Sequence, residues 1–419
     1  MGSSCRFINI FLIRVPFQLT KRVALFSTHT HFNLYIIYRL MRNIIVLGAG
    51  MVGSTIAIDL SKKHHITLTD YNQEALQKAK QKCNDLSILL LDVTDKNTLQ
   101  QTIKNFDLVV CAVPGFLGFE TLKSIIEAEM NVIDISFFSE NSLELDTLAK
   151  EKNITAIVDC GVAPGMDNII LGYYNEKMKL TDFECLVGGL PKVKKWPFCY
   201  KAPFSPIDVI EEYTRPARYI ENGKMITREA LTDCEFVEFD KVGTLESFNS
   251  DGLRSIMFTM PHIKNMKEKT LRYPGHVEYV SVLKESGFFN TKEIEINGTK
   301  ISPLDFTSKV LFDEWKLGET EEEITVMRIT VKGENADGKI EEIVYTLHDE
   351  YCSETKTSSM ARTTGYTASA AANLFLEGKF KEKGVFPPEL VGKHEECFHY
   401  FLNYLKERNI HYKKNSQLV

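Results

Sequence analysis

The sequence has no CxxC pair and no Cys/His cluster at metal-ligand spacing, although it holds nine cysteines. That excludes a zinc ribbon or finger and predicts no metal site; the cysteines read as reduced thiols of a cytosol-like compartment. There is no basic excess either. Fifty Lys and Arg stand against 56 Asp and Glu, a formal charge of -6, which gives no reason to expect nucleic acid or a membrane surface as partner. No apolar run reaches the ~20 residues that span a bilayer, since Arg14, Lys21 and Arg22 interrupt the early apolar stretches. Long Ser/Gly/Pro linkers and internal repeats are missing, so the domains are expected to dock closely. What is present is an ordinary globular composition, 44% hydrophobic and 25% charged over 419 residues, enough for two or three domains.

No acidic residue precedes Asp59. Residues 1–40 carry arginines, serines and aromatics, and two readings of them stand. One is a mitochondrial transit-like peptide; the other is upstream sequence with the working start at Met41. The expected location is cytoplasmic, or mitochondrial under the first reading.

From Arg42 the hydrophobic period switches repeatedly. Strands are predicted at NIIVLG, HITLTD, SILLLDV, DLVVCAV, NVIDIS and ITAIVDCG. Helices are predicted between them at MVGSTIAIDLSKK, NQEALQKAKQKC, TDKNTLQQTIKNF, FETLKSIIEAE and SLELDTLAKEKN. This alternation, with short connections, predicts α/β structure: a Rossmann-type doubly wound parallel sheet with helices on both faces.

The first turn of that sheet is built for a ligand. Gly48-Ala49-Gly50-Met51-Val52-Gly53 follows the first strand and opens the first helix. Gly48 permits the tight turn, Gly50 clears the way for a pyrophosphate, and Gly53 brings helix and strand close. The helix start, Met51 and Val52, offers free N–H groups to the phosphates. Asp70 ends the second strand and is the predicted ribose anchor; its charge favours NAD, while Asn72 leaves NADP open. Asp92 and Val93 end the third strand, and Asp92 reads equally as an adenine-side contact or a helix cap. Pro114 and Gly115 follow the fourth strand across the switch point, as cofactor-approach or plain turn residues.

The second half is less specific. LVGGL reads as a strand, and SPIDVIEEYT as a helix with Ser205 as N-cap and Pro206 at its first position. ARYIENGKMIT and VMRITVKGENADGKIEEIVYTLHDEY read as hairpins turning at Asn222-Gly223 and Asp337-Gly338. An antiparallel sheet is therefore expected. TTGYTASAAANLFLEG reads as a small-residue helix made for close packing.

Five segments then stand in order: GAGMVG, DCGVAPGMDN, LVGGLP with YKAPFSPIDVIEEYTRPARYIENGK, LRYPGHVE, and SSMARTTGYTASAAA. Together they resemble the saccharopine dehydrogenase family. DCGVAPGM, VGGLP, RYPGH and MARTTGYT are most similar to its lysine 6-dehydrogenase branch. The resemblance implies a Rossmann domain, an α+β domain for substrate binding and oligomerisation, and C-terminal helices returning to the first domain. It also implies NAD(P)-dependent oxidation of a carbon–nitrogen bond at the lysine ε-position, by a homodimer or larger homo-oligomer acting on a small molecule. The expected division is 1–40, 41–165, 166–355 and 356–419.

Candidate site residues follow from placement. Asp134, His276 and Lys201 are the candidate catalytic groups: Asp134 at a strand end as base or ammonium anchor, His276 for a proton near neutral pH, Lys201 near the substrate carboxylate or the base. Tyr200, Arg272, Tyr273, Asn249, Arg254 and Asp167 are the candidate substrate contacts, with Arg272 suited to a carboxylate through its bidentate fork. Asp134 and His276 read equally as capping or core groups, and Lys201 as a solvated lysine. Glutamate-forming saccharopine dehydrogenase and carboxy-polyamine reductase are alternative activities; an NAD-binding protein without catalysis is the alternative of another class.

Overall fold

The computed structural model describes residues 41–203, 206–318 and 321–418; the extension 1–40 and the predicted cap Ser205 lie outside them. The chain divides into two units, Met1–Arg42 and Asn43–Val419, and the second holds everything below.

Strands β1 (Asn43–Leu47), β2 (His65–Asp70), β3 (Ser87–Leu90), β4 (Leu108–Cys111), β5 (Val132–Asp134) and β6 (Thr155–Ile157) alternate with helices α1 (Met51–Ser61), α2 (Gln73–Lys82), α3 (Lys96–Ile103), α4 (Gly115–Glu127) and α5 (Asp146–Glu151). The strands pair in parallel in the order β3-β2-β1-β4-β5-β6. The order reverses between β1 and β4, so their C-terminal ends open the switch-point crevice. Ile44, Ile45, Val46 and Leu47 of β1 are fully buried, each contributing ~1.5–3 kcal/mol by burial. Helix α4 starts at Gly115 rather than at Phe119 as the sequence suggests. Pro114 stands at its N-cap, and Gly115 lies against Phe137, whose carbonyl oxygen would stand 2.4 Å from a Cβ there.

Helix α6 (Met166–Asn175) leads into the second sheet. Its strands are β7 (Lys179–Pro191), β8 (Ala217–Glu221), β9 (Lys224–Arg228), β10 (Glu235–Phe239), β11 (Gly243–Asn249) and β12 (Asn265–Arg272), with helix α7 (Pro206–Thr214) after β7. A separate short hairpin, β13 (Ile294–Ile296) and β14 (Thr299–Ile301), precedes β15 (Glu323–Glu334) and β16 (Ile340–Glu350). The order is β10-β11-β12-β7-β15-β16, then a last strand, β18 (Tyr412–Leu418); β8 pairs with β12 and β9. The two hairpins turn as expected, with Asn222 and Gly223 at φ 52° and 75° and Gly338 at φ 76°. The sheet is mixed, not purely antiparallel: β12 lies parallel to β7, from Asn265 opposite Asp182 to Thr270 opposite Val187. The long passage between these strands, through α7 and the β8–β11 hairpins, supplies the crossover a parallel pair needs.

The C-terminal segment does more than add helices. Strand β17 (Gly384–Phe386) extends the first sheet beside β6, and β18 extends the second beside β16. The helix Ser359–Leu376 packs on α1, where Gly365 sits against Thr55 and Ile56. Buried Asp59 of α1 accepts hydrogen bonds from Tyr404 (2.8 Å) and Arg408 Nε (2.9 Å). One apolar cluster runs from Ile44 and Val46 through Ile169 and Ile170 of α6 to Phe183 and Met327, joining the two sheets.

Candidate active site

A cavity of about 650 Å³ runs from the glycine loop, past the ends of β2, β3 and β4, to β7, β12 and α7. At its first end the three glycines separate by environment. A Cβ on Gly48 would stand 2.4 Å from the Ala112 carbonyl oxygen, and one on Gly53 2.0 Å from that of Gly48. Packing therefore explains both. A Cβ on Gly50 would meet no protein atom within 4 Å. Only a group bound in the cavity gives that glycine a reason, and no side chain caps the start of α1 behind it. The residues present thus fit a dinucleotide pyrophosphate.

Asp70 fastens this loop: Oδ2 accepts from Ala49 N–H (2.7 Å) and Oδ1 from Asn72 N–H (2.8 Å). The Asn72 side chain turns into its own helix and accepts from Glu74 and Ala75 N–H. Asp92 lines the cavity and also closes a turn onto Thr94, whose N–H (2.9 Å) and hydroxyl (2.7 Å) it accepts; those bonds hold its carboxyl below the usual range. The cap of α3 is Asp95, not Asp92. Val93 and Pro114 line the wall; Gly115 lies behind it.

The far end is charged. Strand alternation turns Glu268, Thr270 and Arg272 of β12 to the cavity. Helical spacing does the same for Asp208, Glu211, Glu212 and Arg215 along α7 and beyond its end, while Val209, Ile210 and Tyr213 pack with Trp315. Arg272 donates from Nη2 to Glu212 (2.7 Å) and Tyr200 Oη (3.3 Å), and from Nε to Tyr213 Oη (3.2 Å). Its guanidinium lies over the Tyr200 ring. Arg215 pairs with Glu211, but its buried Nη1 has no partner. Asp251 takes a bidentate bond from Arg218 at 2.9 and 2.8 Å, and Asp159 takes Arg254 Nε at 2.8 Å. Asp159 and Arg254 both hold positive φ, 52° and 46°, a strain of ~1–3 kcal/mol each that their ion pair helps hold in place.

Of the residues singled out in the sequence, the structure brings Gly48, Gly50, Met51, Val52, Gly53, Asp70, Asp92, Val93, Pro114 and Arg272 to the cavity wall. The others stand elsewhere. Asp134 is fully buried beneath the crevice, its Oδ1 without a partner, and burial pushes its carboxyl up to about 7. His276 is enclosed by Tyr200, Tyr213 and Trp315. Its Nδ1 faces the Phe198 carbonyl (2.9 Å) and so carries the proton; Nε2 then accepts from Tyr213 Oη (2.9 Å). Burial and the Arg272 charge push it down to about 3, so it stays neutral and orients Tyr213. Lys201 donates to the Glu314 carbonyl, Tyr273 to that of Pro191 (3.0 Å), and Asn249 to Thr232 and Asp233. Asp167 folds onto Gly165 N–H (2.9 Å), and burial pushes it up to about 7. Tyr200 and Arg254 reach the site only through Arg272 and Asp159.

Glu268, Thr270 and the α7 carboxylates were not singled out in the sequence. Asp208, Glu211 and Glu212 stand there within the helix SPIDVIEEYT, which is given no site role. The available signal was their shared face, opposite the apolar Val209, Ile210 and Tyr213 of a segment already tied to the substrate side.

Among the described residues no helix is long and apolar enough to cross a membrane, and no group of His, Cys, Asp and Glu is placed to hold a metal ion.

The fold and cavity define a Rossmann-type dinucleotide-binding chain with a second, mixed-sheet domain. Residues 44–157 match the family model described as the saccharopine dehydrogenase NADP binding domain, and residues 161–410 match the saccharopine dehydrogenase C-terminal domain. The chain belongs to the saccharopine dehydrogenase family. It is 22% identical to mitochondrial alpha-aminoadipic semialdehyde synthase of Rattus norvegicus over 83% of this chain, but spans only 45% of that protein, about half its length. It is 22% identical to carboxyaminopropylagmatine dehydrogenase of a Synechocystis species, covering 83% of this chain and 92% of that one. The structure of apo saccharopine dehydrogenase (L-Glu forming) from Saccharomyces cerevisiae superposes with a TM-score of 0.73 at 21% identity, covering 90% of this chain and all of that one.

Proposed function

We propose that the chain is an NAD-dependent dehydrogenase acting on the carbon–nitrogen bond of lysine or a lysine-derived amine, with lysine itself the favoured substrate. The carrying observation is the single cavity that joins a pyrophosphate-ready glycine loop to a wall richer in carboxylates than in cations. Asp70 supports NAD, because its charge repels a 2′-phosphate. Among the described residues lining the cavity, the only cations are Arg215 and Arg272, both on the second-domain side.

When bound, NAD supplies the hydride acceptor. The chain's own part is to bind and orient. Arg215, with its unpartnered Nη1, receives the substrate carboxylate; Arg272 is held against Glu212 and the two tyrosines and shapes the wall beside it. The acidic wall draws the cationic amine in, and the reacting nitrogen must be neutral before hydride leaves its carbon. The product imine then takes up water, giving aldehyde and ammonia.

Saccharopine carries three carboxylates. Arg272, Arg218 and Arg254 already hold Glu212, Asp251 and Asp159, so the wall suits one substrate carboxylate better than three. A second reading, a carboxylated polyamine, draws on the same surplus of acid and on the relative that this chain nearly spans. The test is absorbance of reduced nicotinamide with NAD or NADP and each of lysine, saccharopine and carboxyaminopropylagmatine. Reduction with lysine supports the first reading; reduction only with saccharopine overturns it; reduction only with the polyamine conjugate selects the second.

A further inference from the structure

Glu268 is a buried acid on the second-domain side of the cavity wall, and no ion pair holds it among the described residues. It is 7% exposed, on β12, between Thr270 and the glycine of the loop after β11. A Cβ on Gly252 would stand 1.6 Å from its Oε2, so the carboxyl lies directly on that backbone. Its one hydrogen bond is long: Ser250 Oγ donates to Oε2 at 3.4 Å, with Ser250 in turn bonded to Thr270 Oγ1 at 2.8 Å. Arg272, Arg218 and Arg254 hold Glu212, Asp251 and Asp159, and Arg215 pairs with Glu211 through Nη2, leaving Nη1 open. Asp167 from α6, Glu212 from α7, Asp251 from the loop and the Cys185 thiol of β7 also stand near enough to Glu268 to act on it, and none of these is a cation. Burial among these acids pushes the Glu268 carboxyl well above the usual carboxylate range, so with no ligand bound a proton neutralises it; it lines the cavity, where a bound cation can take that proton's place.

We infer that Glu268 is the anchor for a primary ammonium of the substrate, the one that does not react. Glu268 belongs to the second-domain wall, whereas the reacting carbon must meet the nicotinamide, beyond the pyrophosphate at the glycine loop. For an amino acid oxidised at its far amine, the ammonium held here is the α-ammonium. The inference rests on the amine-dehydrogenase reading for the substrate class, but its test does not need turnover.

The probes are norleucine, which keeps the α-ammonium and carboxylate but has no ε-amine, and 6-aminocaproate, which lacks the α-ammonium. Calorimetry on the NAD-loaded full chain measures both against wild type and Glu268→Gln. Gln keeps the shape and the Ser250 bond, so the variant is expected to melt no lower than wild type. The expected result is at least tenfold weaker norleucine binding in Glu268→Gln, with 6-aminocaproate unchanged; that unchanged arm also shows that the variant's site is folded. Equal norleucine affinity in the two proteins, no norleucine binding by wild type, or equal loss of both probes overturns the assignment. If lysine fails to reduce NAD while norleucine still binds through Glu268, the dehydrogenase reading falls and the anchor stands.

Discussion

At the glycine-loop end of the cavity the wall is backbone and small residues, with Gly50 open to the space and Asp70 tying Ala49 in place. At the β12 end it is charged side chains from α7, β12 and the loop after β11, most of them in ion pairs. The first end is made by residues close in sequence; the second comes together only when β12 lies down parallel to β7. The lesson is that recognition of a phosphate by backbone leaves a local signature, whereas recognition of a substrate by paired charges leaves none. The two ends should also respond differently to substitution: ligand binding without fold at the first, fold and binding together at the second.

Arg272→Ala should show the second behaviour most strongly. It strands Glu212 and loosens Tyr200 and Tyr213, and should cost about 3 kcal/mol of stability as well as activity; denaturant titration measures it. Gly50→Asp should show the first. Gly50 has φ -66°, which any residue adopts, so the melting temperature should hold while NAD affinity falls about a hundredfold, ~3 kcal/mol. Gly53→Ala, three residues on, should instead damage the fold, and a thermal melt beside an NAD titration separates the two. A loss of stability in Gly50→Asp would break the comparison.

Beneath the crevice, Asp134 gives a pH test. Its folded carboxyl is raised to about 7 by burial, against ~3.9 when unfolded. Raised means that the neutral form is favoured in the fold. The cost of the charge is absent below pH ~4, grows as pH rises towards 7, and is complete above it, at most ~4 kcal/mol. Asp134→Asn should therefore gain stability relative to wild type between pH 4.5 and 8, as urea unfolding at both values would show. The smallest effect is expected at Asp70→Asn, which keeps an acceptor for Ala49 N–H but loses the charge. Its preference should move towards NADP by about tenfold, ~1.4 kcal/mol, measured by titration with both cofactors.

The first sheet was legible because buried parallel strands and amphipathic helices alternate on a short period, and because Gly48, Gly50 and Gly53 have fixed spacing. Strand β17 was not: Gly384–Phe386 is three residues long, and pairing with β6 is a contact across the whole fold. The parallel β7–β12 pair was hidden for the same reason. His276 and Arg272 stood out together in RYPGH, yet alternation sends Arg272 to the cavity, while the helix begun at His276 buries that ring against Trp315. Glu268, in NMKEKTLR, sits between two lysines, and nothing in that spacing marks it; only the loop carrying Ser250 and Gly252 shows that it is enclosed.

The most direct measurement is kcat/KM for lysine and for saccharopine with NAD, on the same protein at mildly alkaline pH. A wall with its arginines already paired predicts that lysine exceeds saccharopine by about tenfold or more, 1.4 kcal/mol or above in transition-state binding. A preference for saccharopine would mean that Arg272 and Arg218 release their carboxylates to the substrate, and would contradict the account of this site.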